Sequence, residues 1–347
     1  MAMRYKVGMY GGSFDPLHLG HISDIIKAAA VCEKLYVVIS WCEGRESTSK
    51  ELRYRWILNS TRHLNNIKIL LIEDTAISKE VYNTDFYWEK GAKDIKEAIG
   101  MPIDAVFCGS DYWGTNRFES LYSPESQVIY FDRSEVPISS TDIRRWASGH
   151  WDYIPVVCKE FYVRKVLIVG GESTGKSTLA QNLALAYNTN FVEEVGRATC
   201  NYAGGEEYMI AEDLYENFLR QRVRIMDAVK GSNRLLFVDT DATTTLFYSH
   251  FLLSQGKQLN TCQKLAASIN ETIQWDLVLF LEPDVDFIQD GTRNEQINAD
   301  RKRYSDQIKQ LLIAHDIAFV EITGDYLQRF ETAKKHIADM FGITTCF

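Results

Sequence analysis

The chain has 347 residues, 46% hydrophobic and 24% charged, which excludes wholesale disorder and favours two domains over one. Its 38 Lys and Arg against 47 Asp and Glu give a net charge of −9. That balance argues against a protein that coats DNA, but not against one that binds nucleotides, because phosphates need only local positive charge. No apolar run approaches the roughly 20 residues of a membrane helix, and the N-terminus lacks the apolar core and cleavage site of a signal peptide. The seven cysteines are scattered and form no C-x-x-C pair, so neither a disulfide framework nor a zinc site is expected. These features predict a cytoplasmic protein with no membrane partner.

In chain order, short apolar runs predict strands at Tyr5–Tyr10, Leu35–Ser40, Ile67–Ile72, Asp104–Cys108 and Gln127–Phe131. Helical spacing falls between them at Leu19–Cys32, Glu51–Leu64 and Phe86–Ile99. The rhythm restarts with strands at Val163–Val169, Leu235–Asp239, Leu277–Leu281 and Ala318–Ile322. Its helical patterns are Leu179–Tyr187, Glu206–Val229, Asp300–His315 and Gly324–Met340. Strands alternating with helices predict parallel sheets covered by helices, hence an α/β fold. The boundary is expected within Gly149–Arg164, giving domains at 1–158 and 159–347. No internal repeat and no Gly/Ser-rich linker is present.

Gly11-Gly12-Ser13-Phe14-Asp15-Pro16-Leu17-His18-Leu19-Gly20-His21 follows a strand and opens a helix. Glycines there let the backbone approach a ligand, and a helix N-terminus favours anions. His18 and His21, three residues apart, can face one way and donate hydrogen bonds to phosphate oxygens that gain charge in a transition state. No third ligand lies at metal spacing nearby. Farther along, Ile138-Ser139-Ser140-Thr141-Asp142-Ile143-Arg144 offers capping hydroxyls and backbone N–H groups, with a guanidinium one turn on. Together the two strings resemble the nucleotidyltransferase superfamily marked by H-x-G-H, which transfers AMP from ATP onto a phosphate.

Gly170-Gly171-Glu172-Ser173-Thr174-Gly175-Lys176-Ser177-Thr178 fits G-x-x-x-x-G-K-[ST], again between a strand and a helix. Its backbone N–H groups suit a β-phosphate, Lys176 suits the β/γ oxygens, and Ser177 suits Mg²⁺. The run Leu235-Leu236-Phe237-Val238-Asp239-Thr240-Asp241 ends in carboxylates that can serve the metal or take a substrate proton. Asp239 is preferred, with Asp241 second, since a strand-end Asp can equally cap the next helix. Asp290-Gly291-Thr292-Arg293 and Arg301-Lys302-Arg303 form a basic stretch from which Arg293 and Arg301 are expected at ATP. Glu194-Val195-Gly196-Arg197 could hold substrate hydroxyls or be a surface turn.

An adenylyltransferase followed by a P-loop kinase is a restrictive pairing. The chain resembles the NadR family from about residue 5 to about residue 340. Its most telling pieces are Gly170–Thr178, Glu194–Arg197, Phe237–Thr244 and Asp290–Arg293; Trp151–Pro155 is similar to that family's domain junction. The resemblance implies a Rossmann-like nucleotidyltransferase domain followed by a P-loop kinase domain, both with mostly parallel sheets. It implies that the second domain phosphorylates nicotinamide riboside with ATP and Mg²⁺, and that the first joins the resulting mononucleotide (NMN) to AMP, giving NAD and pyrophosphate. His18, His21, Lys176 and Asp239 would then be catalytic. Gly11, Gly12, Ser13, Phe14, Gly109, Ser110, Asp111, Ser139, Ser140, Thr141 and Arg144 would line the first nucleotide site, with Trp88 stacking on nicotinamide. Gly171 to Thr178 would bind the kinase ATP, and Glu194, Arg197, Asp239 and Asp241 the riboside.

Some longer family members carry an N-terminal helix-turn-helix repressor domain. This sequence starts at the first predicted strand, so no DNA-binding domain is expected, and a homo-oligomer is left open. Two rivals share the generic motifs. One is a phosphopantetheine adenylyltransferase fused to a dephospho-coenzyme A kinase. The other is an NAD- or ATP-sensing regulator with an inactive first domain. The Glu172-Ser173-Thr174 loop interior and the Asp239-Thr240-Asp241 strand end resemble the riboside kinase more than the first rival.

Overall fold

The computed structural model describes residues 4–288 and 295–346. Two compact units divide the chain, Met1–Lys159 and Glu160–Phe347, and a short helix, Val156–Tyr162, carries the division.

In the first unit the strands are Tyr5–Gly12 (β1), Cys32–Trp41 (β2), Ile67–Glu73 (β3), Ala105–Gly109 (β4) and Gln127–Phe131 (β5). They form one sheet in the order β3-β2-β1-β4-β5, and every pairing is parallel. Central strands covered on both faces need apolar residues on both, which is why Leu35 through Ile39 are all buried rather than alternating. The strand order reverses direction between β1 and β4, so the loops leaving their C-terminal ends diverge and open a crevice there. Both Gly11–His21 and Gly109–Asp111 sit at that edge.

The second unit repeats the plan with Arg164–Gly170 (β6), Phe191–Val192 (β7), Leu235–Asp239 (β8), Leu277–Leu281 (β9) and Val320–Ile322 (β10). Their order is β10-β9-β6-β8-β7, again all parallel. The loop Gly170–Thr178 leaves central β6, and Asp239 ends its neighbour β8. Helix Lys176–Ala186 packs Leu179, Ala180 and Leu183 into the core below.

The α/β expectation holds in both units, with differences at element ends. The predicted helix Leu19–Cys32 stops at Val31, and Cys32 already opens β2, three residues before the expected Leu35. β1 runs on through Gly11 and Gly12, which still pair with Val38 and Ile39. The pattern at Glu206–Val229 splits into a 3₁₀ turn, Glu206–Tyr208, and a helix, Ala211–Lys230. The Asp213 carboxylate accepts from Ile210 N–H at 2.9 Å and so fixes the helix start after the turn. Helices Ala242–Leu252 and Lys257–Thr272 and the two-residue β7 carry no prior expectation.

Candidate active sites

His18 is the N-cap of helix Leu19–Val31, and its Nδ1 accepts the His21 N–H at 3.4 Å. That contact leaves the His18 proton on Nε2. One turn of helix stacks the two imidazoles, with centroids 3.6 Å apart and planes 20° from parallel. Burial, and then the nearby Arg133 guanidinium, pushes His18 down to about 3. Burial, His18 and Arg133 likewise hold His21 well below its ordinary value. Both rings are therefore neutral at pH 7 and act as hydrogen-bond donors rather than as cations. His21 Nδ1 is buried and has no hydrogen-bond partner within the protein.

The pair lines a cleft of about 340 Å³ together with Gly11, Gly12, Ser13, Trp88, Gly109, Ser139, Ser140, Thr141 and Arg144. Ser139 caps the short helix Ser140–Arg145 through a reciprocal pair with Asp142. Ser140 Oγ donates to Pro16 O at 2.9 Å, and Arg144 bonds to Asp15 O and to Thr141 Oγ1. The two sequence strings, more than a hundred residues apart, thus meet. Asp15 is the hinge of that meeting. Burial opposes its charge but is outweighed by hydrogen bonds from Thr48 and Ser47 and by Arg144, so its carboxyl lies below its ordinary value.

Phe14 is buried against the ring of His21 at 4.9 Å and supports the pair from behind. Ser110 and Asp111 are tied to Arg133: Arg133 N–H donates to Ser110 Oγ at 3.1 Å, and its guanidinium meets Asp111 at 3.1 Å. Arg133 also faces both histidines and lines the cleft, yet no motif marks it. Arg45 lines the cleft too, but Asp74 and Glu46 neutralise it. Trp88 packs among Tyr82, Tyr112 and Phe118, with the Arg117 guanidinium 4.8 Å over its ring.

In the second unit the loop Gly170–Thr178 wraps tightly. Ser173 (φ 57°) and Gly175 (φ 83°) adopt left-handed backbone, the alternation that gathers N–H groups into an anion-binding concavity. Thr174 Oγ1 and Lys176 Nζ both donate to Gly171 O at 2.9 Å. Ser177 Oγ donates to Asp239 Oδ2, so the loop hydroxyl and the β8 carboxylate stand side by side. Two hard oxygens in that position suit Mg²⁺, which takes one or two protein ligands and completes its shell with phosphates and water. Among the described residues there is no cluster of three or more metal-ligating side chains.

Beside Lys176 lies a cavity of about 90 Å³ lined by Glu172, Glu194, Glu206, Arg197, Tyr248 and Met209, among others. A second, of about 270 Å³, joins Ser177, Asp239, Glu194 and Arg197. The expected Glu194, Arg197 and Asp239 therefore converge on Lys176. Burial raises the Glu194 carboxyl against the pull of Lys176, and Asp239 adds to the rise. Glu206 is pushed up to about 7 by burial and then by Glu172 and Glu207. Tyr248 Oη donates to Glu172 Oε1 at 3.2 Å. Glu206, Tyr248 and Asn217 belong to no motif; the splitting of the Glu206–Val229 pattern is what swings Glu206 to the cavity.

Two expectations change. Asp241 lines neither cavity: it is the N-cap of helix Ala242–Leu252, accepting from Thr244 N–H at 3.1 Å and Thr244 Oγ1 at 3.3 Å. Arg301 grips protein backbone, donating to Ser173 O at 3.2 Å and Val285 O at 2.6 Å. Arg293, with the rest of Asp290–Arg293, lies outside the described residues. Thr178 follows Ser177 in the first turn of its helix and lines neither cavity.

Fold and sites define a class: a nucleotidyltransferase of the H-x-G-H type joined to a P-loop kinase. A cytidylyltransferase-like family matches residues 9–146, and an AAA-domain family matches residues 165–329. The trifunctional NAD biosynthesis/regulator protein NadR of Escherichia coli (strain K12) is 29% identical over 97% of this chain and 83% of its own length. The crystal structure of NadR protein in complex with NR superposes with a TM-score of 0.83 at 21% identity, covering 99% of this chain and 97% of that one. The phosphopantetheine adenylyltransferase of Mycoplasma mycoides is 33% identical over 40% of this chain and 94% of its own, within the span of a single domain. Over nearly its whole length the chain is thus similar to NadR.

Proposed function

We propose that this chain makes NAD in two steps, phosphorylating nicotinamide riboside with ATP in its second unit and transferring AMP from a second ATP onto the product in its first. The observation that carries the substrate is the acid-lined cavity beside Lys176. Nicotinamide riboside is a cation, and Glu172, Glu194 and Glu206 outnumber Lys176 and Arg197 in the partly desolvated lining, an acidic excess that favours a cationic ring. Nicotinic acid riboside, with its added carboxylate, would be repelled there. Dephospho-coenzyme A, the kinase substrate of the rival reading, carries an anionic diphosphate and no cationic ring, and suits this lining less well.

In the kinase step the riboside hydroxyl attacks the γ-phosphorus of ATP and ADP leaves. Lys176 and the loop amides hold the phosphates, Asp239 takes the hydroxyl proton, and Glu194 and Arg197 orient the ribose. Ser177, with the Asp239 carboxylate beside it, would hold Mg²⁺, which would supply charge neutralisation for the ATP phosphates. In the adenylyl step a phosphate oxygen of NMN attacks the α-phosphorus of ATP and pyrophosphate leaves. That nucleophile is already ionised, so no base is required. His18 through Nε2, His21 and Arg133 stabilise the charge that develops on the phosphate oxygens. Ser139 to Thr141 and Arg144 fit the same chain of phosphates, while Trp88 offers an aromatic face to the pyridinium.

One chromatographic time course tests the reading. Protein, Mg-ATP and nicotinamide riboside should give NMN first and then NAD with pyrophosphate. NMN without NAD would reject the adenylyl step and favour a sensor in the first unit. Neither product would reject the nicotinamide assignment.

A further inference from the structure

We infer that Arg329 is a positioning residue of the kinase: from behind the phosphate-binding loop it holds the Thr174–Gly175 peptide in the orientation that turns its N–H toward the nucleotide. The inference rests on the kinase reading above, though not on the identity of the acceptor. Arg329 lies on helix Tyr326–Phe341, is 1% exposed, and stands 155 residues from Thr174 in sequence. Its guanidinium donates from Nε to Gly324 O at 2.8 Å, from Nη1 to Thr174 O, and from Nη2 to Glu282 O at 2.7 Å and to Asp284 Oδ1. Arg329 lines neither cavity.

In a planar trans peptide the C=O and the next N–H point in opposite directions. Drawing Thr174 O back onto a buried guanidinium therefore aims the Gly175 N–H forward, into the concavity. Arg301 does the same for the preceding peptide by binding Ser173 O at 3.2 Å, which aims the Thr174 N–H. A nest of amides binds phosphate only while its members stay aligned, and Ser173 at φ 57° is a non-glycine residue in a strained region that must be held. The fit has no slack, since a Cβ on Gly175 would lie 2.9 Å from the Tyr326 ring. An apolar side chain could fill the same volume without the cost of burying a charge, but it would leave the Thr174 carbonyl unfixed.

The test is Arg329→Lys in the full chain, because an ammonium cannot reproduce the planar fork that reaches three carbonyls and a carboxylate. Kinase KM and kcat, ADP affinity by titration calorimetry, adenylyl transfer and thermal unfolding are read on one preparation. Lys176→Ala identifies the heat that belongs to the kinase site. We expect ADP affinity to fall, and KM for ATP to rise, by at least about tenfold. KM for the riboside should stay within about twofold and adenylyl transfer should be unchanged. Unaltered ADP affinity and KM for ATP, with activity lost only in proportion to the unfolded fraction, would overturn the inference. Should the Lys variant fail to fold, Asp284→Asn decides: a raised KM for ATP supports the inference and an unchanged one overturns it. A wild-type protein that binds ADP but phosphorylates no riboside would refute the substrate reading and leave this inference standing.

Discussion

The two units solve one problem, holding a phosphate chain at the C-terminal edge of a parallel sheet, with opposite electrostatics. The first uses two stacked, neutral imidazoles in a wide cleft and keeps the guanidinium that acts on them, Arg133, shared with Asp111. The second uses a lysine and a ring of amides, and sets three carboxylates in the lining of a small cavity beside them. The difference follows from the acceptor. A phosphate nucleophile brings its own negative charge, so the site needs donors and room. A riboside brings a hydroxyl and a cationic ring, so the site needs a base, a strong electrophile clamp and acids for the ring. The lesson is that similar sheets and similar glycine turns need not imply similar electrostatics.

The sharpest way to break this comparison is to disable each half separately. Lys176→Ala should lower kinase turnover at least about a hundredfold and leave adenylyl transfer of supplied NMN intact. His21→Ala should do the reverse, by about two to three orders of magnitude. Loss of both activities from either substitution in a folded protein, read by separate assays, would sink the two-site account.

A middle-sized effect should come from pH. Glu206 has its midpoint near 7, so its charge grows between pH 6 and 8, and riboside KM should fall over that interval by up to roughly tenfold. Glu206→Gln should raise the KM at pH 8 and flatten the profile. With His18 down near 3, adenylyl transfer should stay level from pH 7 to 8.5, where neither histidine changes charge. A kinase profile that keeps its slope in the Gln variant would refute the role of Glu206. Trp88→Ala should raise KM for NMN by less, roughly three- to tenfold, in line with one lost cation–π contact. An unchanged KM would place the ring elsewhere. The smallest effect is expected at Asp241. Its replacement by Ala should cost about 1–2 kcal/mol of stability in chemical denaturation, while Asn restores most of it and neither moves riboside KM. A large KM change would return Asp241 to the substrate.

Much of this was legible in the sequence, for physical reasons that also set its limits. Strands such as Leu35–Ser40 and Leu277–Leu281 are written as unbroken apolar runs because both faces of a parallel sheet are buried. Gly11–His21 and Gly170–Thr178 are contiguous strings, so their chemistry is visible without a fold. Helix Ala242–Leu252 hid because it is buried nearly all round: Thr243, Thr244, Leu246 and Phe247 are all inside, which erases the 3.6-residue period. Arg133, Glu206 and Arg329 hid for another reason. Each is a charged residue outside any motif whose role depends on what the fold sets opposite it, and no spacing along the chain encodes that. Asp241 shows the converse, a residue next to a motif that the fold assigns to a helix end.

The acid-lined cavity has a consequence for traffic as well as for selection. On the proposed reading, phosphorylation takes the ligand from a net charge of +1 to about −1 at neutral pH. The carboxylates that draw the riboside in then face an anion. Repulsion from Glu172, Glu194 and Glu206 would oppose the hold of Lys176 and Arg197 on the new phosphate and so ease departure of the mononucleotide without a moving part.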